Sequence, residues 1–199
     1  YIASLPDPSV LTEDQKSALK AIYEGKNIFL TGVAGGGKSF LIEIIKREWK
    51  GMCYPLAPNK RAGNKWGCQT IVEFMKSNIY ERTYVQYGKS IECTGKRKLL
   101  PVIIDEISEI SAEKFDMLNI YCKKAFDNNE GFDKDKPFGG AQVIIAGDYH
   151  FVQQFKKPED NNVCPNQIRN RGFAFQSDNW HDLNFEVVAL KDNMRLDTG

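Results

Sequence analysis

A glycine-rich segment, Gly32–Ser39 (GVAGGGKS), has the residue types and spacing that bind phosphate groups. Glycines let successive backbone N–H groups turn inward around phosphate oxygens. Lys38 adds a mobile positive charge suited to the β- and γ-phosphates, and the Ser39 hydroxyl is a hard oxygen ligand for Mg²⁺. An apolar stretch, Asn27–Thr31, precedes the segment, and residues 40–49 follow it with helical spacing. This context predicts a strand, a phosphate loop and a helix, against the alternative of a flexible glycine-rich turn.

The nucleotide-contacting residues of this segment form one continuous run. They are predicted to be Gly32, Val33, Ala34, Gly35, Gly36, Gly37, Lys38, Ser39 and Phe40.

Two adjacent carboxylates follow a short apolar strand, Val102–Ile104. A strand of a parallel sheet delivers the residues after it to the carboxyl edge, where ligands bind. Asp105 is therefore predicted to hold Mg²⁺ together with Ser39, and Glu106 to orient and polarise an attacking water. The alternative is that Asp105 only caps a turn at the end of the strand. The pair favours nucleotide hydrolysis over phosphoryl transfer to a small acceptor.

The elements that must position these residues alternate between strand and helix. Helices are predicted after Thr12, over 40–49 and after Ser111, and strands at Asn27–Thr31, Cys53–Ala57, Val102–Ile104 and Gln142–Gly147. Residues 77–100 are polar, basic and poorly periodic, and are predicted to form loops or a small insertion. The alternation predicts an α/β fold, with a central parallel sheet covered by helices on both faces.

Composition narrows the class of protein. The chain has 199 residues, of which 42% are hydrophobic and 27% charged, so a single domain with its own core is expected. The longest apolar runs are too short to span a bilayer, so no membrane partner is expected. Five cysteines with no C-x-x-C pair argue against a disulfide framework or a zinc site and favour a reducing interior. The start, Tyr1–Ser4, has neither an initiator Met nor a signal peptide, and suggests a piece of a longer protein.

The formal net charge of +1 conceals a strongly basic stretch. Residues 46–98 carry 12 basic and 4 acidic side chains, a local charge of +8. Such a block can be the footprint of a polyanion or a solvated face balanced by the acidic remainder of the chain.

The order of motifs resembles the petite-integration-frequency (PIF) and RecD-like branch of superfamily one helicases, over almost the whole chain. In this family the phosphate-loop segment reads NIFLTGPAGTGKS and the acidic segment DEISMIS. The matching segments here are Leu11–Gln15 (LTEDQ), Asn27–Ser39 (NIFLTGVAGGGKS), Ala57–Ala62 (APNKRA), Gly67–Ile71 (GCQTI), Ile103–Ser111 (IIDEISEIS), Pro137–Gln142 (PFGGAQ), Gly147-Asp148, Ala174–Trp180 (AFQSDNW) and Asn193–Leu196 (NMRL).

The resemblance implies a RecA-like P-loop NTPase fold, with ATP and Mg²⁺ as cofactors and single-stranded DNA as partner. It implies that Gln15 reads the adenine edge, although Gln15 also completes a helix capping box with Thr12. It implies that Arg195 reaches the γ-phosphate. The residues that the resemblance assigns to single-stranded DNA are Pro58, Asn59, Lys60, Arg61, Thr70 and Phe74.

Departures from the family pattern affect both sites. The glutamine that senses the γ-phosphate in relatives falls on Phe151 here. Gln153 can replace it only if the backbone shifts by two residues, which keeps the same face of an extended segment. The alternative is that Gln153 and Gln154 face solvent. Asn59, Lys60 and Arg61 stand where the family has Thr, Gly and Ile, which adds positive charge where a phosphate backbone would pass.

The function expected is that of an ATP-dependent DNA helicase, with residues 1–199 as its first motor lobe, the basic loop-rich region at about 77–100, and the second lobe largely absent. The resemblance also implies 5′-to-3′ polarity and roles in DNA replication, repair and recombination. The isolated chain is expected to be a monomer that binds ATP, hydrolyses it slowly and does not unwind duplex. The expected location is intracellular: nucleus or mitochondrion in a cell, or the replication site of a virus in its host.

Two other functions remain open at this point. One is an AAA+-type switch ATPase that does not move on DNA. The other is a nucleotide-dependent DNA-binding module with weak catalysis.

Overall fold

One six-stranded parallel sheet organises the part of the chain that the computed structural model describes, which is residues 11–76, 85–86, 89–90, 99–149 and 172–192. Its strands are β1 (Ile28–Gly32), β2 (Tyr54–Ala57), β3 (Gln69–Thr70), β6 (Val102–Ile104), β7 (Val143–Ala146) and β8 (Glu186–Leu190). They lie in the order β3-β2-β6-β7-β1-β8, and every pairing in this sheet is parallel. Two further short strands, β4 (Val85–Gln86) and β5 (Lys89–Ser90), pair antiparallel with each other.

Helices cover both faces of the sheet. They are α1 (Glu13–Tyr23), α2 (Lys38–Glu48), α3 (Lys60–Trp66), α4 (Ile71–Lys76), α5 (Ala112–Phe126) and α6 (Asp178–Asp182). One core cluster joins α1 and α2 to the sheet, and the other joins α4 and α5 to the opposite face. The predicted α/β class, with a parallel sheet between two layers of helices, is confirmed. No helix among the described residues is long and apolar enough to cross a membrane.

Side-chain alternation along the strands explains how one sheet supports two cores. Successive residues of a strand point to opposite faces. Ile103 accordingly belongs to the cluster with α1 and α2, whereas its neighbours Val102 and Ile104 belong to the cluster with α5. All three side chains are at most 1% exposed. Because both faces of β6 are buried, its sequence is a continuous apolar run instead of an alternating one.

The side-chain amides of Asn27 and Gln142 fix the amino ends of three strands, at the end of the sheet opposite the candidate site. The Asn27 side-chain amide donates to the Leu183 carbonyl at 2.7 Å and its oxygen accepts from the Val143 N–H at 2.8 Å. Gln142 donates to the carbonyls of Ile22 and Lys26 at 2.8 and 2.7 Å. These bonds set the starting points of β1, β7 and β8 relative to one another, and so set where the strands end.

The predicted elements appear with end points shifted by one or two residues, for example β1 at Ile28–Gly32 in place of Asn27–Thr31. The helix capped by Thr12 and the helix capped by Ser111 both form as predicted. Strand β8 and helices α3 and α4 were not predicted. The predicted loop region at 77–100 falls largely outside the described residues, and its described part includes the β4–β5 pair.

Candidate nucleotide site

The phosphate-loop segment leads from the end of β1 into the first turn of α2. Gly35 and Gly37 have φ values of 87° and 88°, in the left-handed region that favours glycine. The Gly36 N–H donates to the Val33 carbonyl at 3.1 Å, which closes the loop. Helix α2 begins at Lys38, and its N-cap residue, Gly37, provides no side-chain hydrogen bond. The amino end of α2 therefore keeps its backbone donors and positive dipole directed at the loop, as anion binding requires.

The Lys38 side chain folds back over the loop. Its Nζ donates to the Gly32 carbonyl at 2.7 Å and to the Val33 carbonyl at 3.0 Å. These two neutral acceptors hold the ammonium group over the segment predicted to bind phosphate. Phosphate oxygens are stronger partners for an ammonium group than carbonyls are, so the same lysine can exchange one set for the other. Phe40, also predicted to contact nucleotide, is 39% exposed.

Ser39 and Asp105 meet across the carboxyl edge of the sheet. The Ser39 hydroxyl donates to Asp105 Oδ2 at 3.1 Å, although the two residues are 66 positions apart in sequence. Asp105 is only 6% exposed, and its Oδ1 accepts from the Glu106 N–H at 2.9 Å. Two hard oxygens beside a phosphate loop form a donor set that suits Mg²⁺, whose remaining ligands are commonly phosphate and water. The residues present therefore fit this ion.

Glu106 occupies a strained backbone conformation. Its φ and ψ of 53° and 47° are left-handed, which costs a residue with a side chain about 1–3 kcal/mol. A short 3-10 turn, Ile107–Glu109, follows directly. A Cβ added to Gly147 would lie 2.7 Å from Ile107 Cγ2 and 3.0 Å from the Ile107 nitrogen. The end of β7 thus packs closely against the turn that carries Glu106 and helps to hold its conformation.

Strand β8, which the sequence did not predict, lies next to the phosphate loop and contacts it. The Leu190 carbonyl accepts from the Val33 N–H at 3.2 Å. A Cβ on Gly32 would lie 2.1 Å from that carbonyl oxygen, and a Cβ on Gly36 would lie 3.2 Å from it. The apolar, β-branched run at 187–190 was the available sequence signal for this strand.

Gln15 contacts the phosphate loop as well as the start of its own helix. Its Oε1 accepts from the Thr12 N–H at 3.1 Å, and its N–H donates to Thr12 Oγ1 at 3.3 Å, so the predicted capping box is confirmed. Its Nε2 also donates to the Gly36 carbonyl at 3.3 Å. Gln15 is completely buried, and its amide links α1 to the loop.

The residues predicted to meet DNA are split between the surface and the interior. Asn59, Lys60 and Arg61 are exposed around the start of α3, whereas Pro58 is buried beside them. Thr70, 6% exposed, caps α4: its Oγ1 accepts from the Glu73 N–H at 3.1 Å.

Phe74 belongs to the core. It is 0% exposed, and its ring centroid lies 5.3 Å from those of both Tyr54 and Tyr121. The structure gives Phe74 no surface with which to meet DNA, because an apolar residue on the inner face of a short helix packs against the sheet. Phe74 is therefore not part of the proposed DNA interface. Phe151, Gln153 and Arg195 lie outside the described residues.

Comparison with known proteins identifies the family. The family model described as PIF1-like helicase matches residues 80–199, more than half of the chain. The chain belongs to the PIF1-like helicase family. It is 29% identical over 197 residues to the ATP-dependent DNA helicase Pif1 of Psychrobacter sp. (strain PRwf-1), covering 93% of this chain and 27% of that protein. It is 31% identical over 192 residues to the ATP-dependent DNA helicase Pif1 of Bdellovibrio bacteriovorus, covering 94% and 40%.

Solved structures of Pif1 proteins share the fold. Bacteroides sp. Pif1 in complex with ADP-AlF4 superimposes with a TM-score of 0.68 at 22% identity, over 93% of this chain and 43% of that one. Pif1 helicase from Candida albicans gives a TM-score of 0.62 at 26% identity, over 93% and 40%. The predicted RecA-like fold is confirmed. The chain spans less than half the length of these PIF1-like relatives and structures.

The contact between the loop and Leu190 predicts a large difference between two glycine substitutions. Gly32→Ala should lower the free energy of unfolding by more than about 3 kcal/mol, because the new Cβ forces backbone atoms apart. Gly51→Ala is the matched control: its φ of +83° is also left-handed, but a Cβ there meets nothing within 4 Å. It should cost only about 1 kcal/mol. Chemical denaturation of both variants measures the difference, and equal losses would show that the Leu190 contact is unimportant.

Proposed function

We propose that residues 1–199 form the first, ATP-hydrolysing motor lobe of a DNA helicase that acts on single-stranded DNA. The observation that carries the proposal is the hydrogen bond between Ser39 and Asp105 beside the phosphate loop. It brings together the two side chains that Mg²⁺-dependent nucleotide hydrolysis requires, in a chain of the PIF1-like helicase family. The Psychrobacter and Bdellovibrio relatives are named ATP-dependent DNA helicases.

The loop and Lys38 would bind the phosphates of ATP. The N–H groups at the start of α2 donate to phosphate oxygens, and the Lys38 ammonium leaves the Gly32 and Val33 carbonyls to bind the β- and γ-phosphates. Little backbone movement is needed, because the glycines already hold the left-handed conformations of the loop. The positive end of α2 lowers the free energy of the bound anion further.

Ser39 and Asp105 would hold Mg²⁺ between them. Held there, Mg²⁺ would supply positive charge that offsets the negative charge of the β- and γ-phosphates. The Ser39 hydroxyl, which now donates to Asp105, would turn its lone pair towards the ion. Among the described residues, no group of three or more His, Cys, Asp or Glu side chains is placed to hold a metal ion.

Glu106 would accept a proton from, or orient, the water that attacks the γ-phosphate. Its strained backbone places the side chain just beyond the end of β6, next to Asp105. Strain maintained by close packing is a common way to fix a reacting group. Arg195 would stabilise charge on the γ-phosphate, and Gln153 would sense that phosphate in place of the glutamine that Phe151 replaces.

Gln15 would select adenine. Reading the adenine edge requires both a donor and an acceptor, and the Gln15 amide now gives these to Gly36 and Thr12. We propose that the amide exchanges at least one of these bonds for the base. Because the bond to the Gly36 carbonyl ends on the phosphate loop, recognition of adenine and the shape of the loop would be coupled.

Single-stranded DNA would pass over the turn at 58–61. Bacteroides Pif1 has been solved in complex with ADP-AlF3 and single-stranded DNA. In this chain, exposed Lys60 and Arg61 offer positive charge to a phosphate backbone, with Asn59 beside them. Thr70 and Pro58 would contribute through backbone contacts or by shaping the turn.

Motion along DNA needs a second lobe that closes on ATP, and we propose that this lobe lies outside residues 1–199. The isolated lobe would then be a monomer that hydrolyses ATP slowly and leaves duplex DNA intact. We also propose 5′-to-3′ polarity and an intracellular location, in the nucleus or mitochondrion of a cell or at the replication site of a virus.

If Glu106 acts on the attacking water, its substitution should lower the rate of ATP hydrolysis without weakening ATP binding. In the intact protein, Glu106→Gln should lower the ATPase rate about 10²- to 10⁴-fold, because an amide cannot take the proton. Affinity for a fluorescent ATP analogue should change less than twofold. Glu113→Gln, which removes a carboxylate at the start of α5, is the control and should leave the rate unchanged. Turnover by Glu106→Gln close to that of the unaltered protein would contradict the assignment.

The DNA surface predicts a salt-dependent loss of affinity. Lys60→Ala and Arg61→Ala should each weaken binding of oligothymidylate, because each removes one phosphate contact. Each should also reduce the slope of log affinity against log salt by about 1. Fluorescence anisotropy at several salt concentrations measures both quantities. Lys134→Ala, an exposed lysine in the connection between α5 and β7, is the control. Equal slopes for Lys60→Ala and the unaltered protein would place the DNA elsewhere.

A further inference from the structure

Two turns follow the carboxyl ends of neighbouring strands. The turn at 58–61 follows β2 and is the proposed DNA surface, and the turn at 106–109 follows β6 and carries Glu106. β2 and β6 pair directly, with Leu56 opposite Ile104. The backbone pairing ends with the Asp105 N–H, which donates to the Leu56 carbonyl at 3.2 Å. Beyond that bond the two turns are connected through side chains.

A side-chain hydrogen bond joins these turns. Asn59 Nδ2 donates to Glu109 Oε2, between residues 50 positions apart in sequence. In the family motif quoted above, the position of Glu109 is methionine and that of Asn59 is threonine. Neither of those side chains could form this amide–carboxylate bond, so the bridge belongs to the pair of residues found in this chain.

Both ends of the bridge are fixed to the backbone. Asn59 caps α3, since its Oδ1 accepts from the Ala62 N–H at 3.0 Å. The Glu109 N–H donates to the Glu106 carbonyl at 3.0 Å. A continuous path therefore runs from the first turn of α3, through Asn59 and Glu109, to the backbone of Glu106. Hydrogen bonds at both its oxygen and its nitrogen restrain the Asn59 amide, so a displacement of the first turn of α3 reaches the Glu109 carboxylate.

A second side-chain hydrogen bond joins the 58–61 turn to helix α5. Lys114, at the start of α5, donates from Nζ to the Pro58 carbonyl at 3.0 Å. Burial lowers the pKa of Lys114, and the nearby Glu109 carboxylate opposes that effect. The Glu109 carboxylate is therefore bonded to the Asn59 amide and close enough to the Lys114 ammonium to affect its pKa.

We propose that Glu109 is a positioning residue that couples single-stranded DNA at the 58–61 turn to the turn carrying Glu106, through its hydrogen bond with Asn59. The inference rests on the proposed function. Phosphates that approach Lys60 and Arg61 bring negative charge close to the Glu109 carboxylate and compete for the Asn59 amide. The bond weakens, Glu109 moves, and the backbone of Glu106, which accepts from the Glu109 N–H, adjusts. DNA would thereby change the rate of the chemical step as well as the position of the lobe.

The test compares three variants of the intact protein by ATPase rate without DNA, ATPase rate with saturating oligothymidylate, and oligothymidylate affinity. Glu109→Ala removes the bond and the charge. Glu109→Gln removes the charge but keeps an acceptor for Asn59. Asn59→Ser keeps a capping oxygen for α3 but removes the amide donor. Thermal unfolding of each variant checks that the fold is intact.

If Glu109 couples the two turns, loss of its bond to Asn59 should strengthen DNA binding but weaken the stimulation of the ATPase rate by DNA. Glu109→Ala breaks the bond as DNA does, so it should raise the ATPase rate without DNA towards the DNA-stimulated rate. The stimulation by DNA should therefore fall about fivefold or more, and DNA binding should tighten about two- to fivefold. Asn59→Ser should lose stimulation similarly, and the double variant should lose no more than either single one. Glu109→Gln should keep most of the stimulation while it also gains affinity.

Two results would overturn the inference. If DNA still stimulates the ATPase rate of Glu109→Ala fully, and DNA binding is tighter, Glu109 acts only as a surface charge that repels DNA. Equal loss in Glu109→Gln and Glu109→Ala would assign the effect to charge and not to the hydrogen bond. Failure of the proposed function is distinct, because it would appear in the unaltered protein as an ATPase rate that DNA does not change.

Discussion

The rest of the structure depends on the alignment of the strand ends that brings Ser39 and Asp105 within hydrogen-bonding distance. Parallel strands deliver the residues that follow them to the same edge of the sheet, so segments distant in sequence meet there. β1 brings the phosphate loop to that edge, and β6 brings Asp105 and Glu106. At the opposite ends of the strands, the side-chain hydrogen bonds of Asn27 and Gln142 fix where β1 starts relative to β7 and β8. A shift of β1 or β6 by one residue would separate the serine from the aspartate and turn buried residues to the wrong face.

The local structure around the candidate site residues could be predicted from sequence because these residues lie within short, local patterns. The phosphate loop, the helix cap at Thr12 and Gln15, and the carboxylates after Val102–Ile104 each depend on neighbours in the chain. The contacts made through tertiary packing could not be predicted. Leu190 lies beside the phosphate loop only because β8 pairs with β1. Phe74 looks like part of a surface motif, but the two aromatic rings that bury it come from β2 and α5.

Close backbone approaches connect the parts of the site. Gly32 and Gly36 pack against the end of β8, and Gly147 packs against the turn after Glu106. Gly32 is required both by contact and by its φ of 121°. At Gly147 contact alone opposes a side chain, and at Gly36 a Cβ would fit only tightly. Through these contacts the ends of β1, β6, β7 and β8 form one rigid edge. A change in one turn is therefore passed to the next, which is the property that an ATP-driven motor lobe needs.

The most direct test of this account measures whether Ser39 and Asp105 act together on a metal ion. The affinity of the intact protein for a fluorescent ATP analogue is titrated with Mg²⁺ and with chelator present, for the unaltered protein, Ser39→Ala, Asp105→Asn and the double variant. The account predicts that Mg²⁺ tightens binding to the unaltered protein, that each single variant loses this gain, and that the double variant loses no more. A full Mg²⁺-dependent gain in either single variant would contradict it.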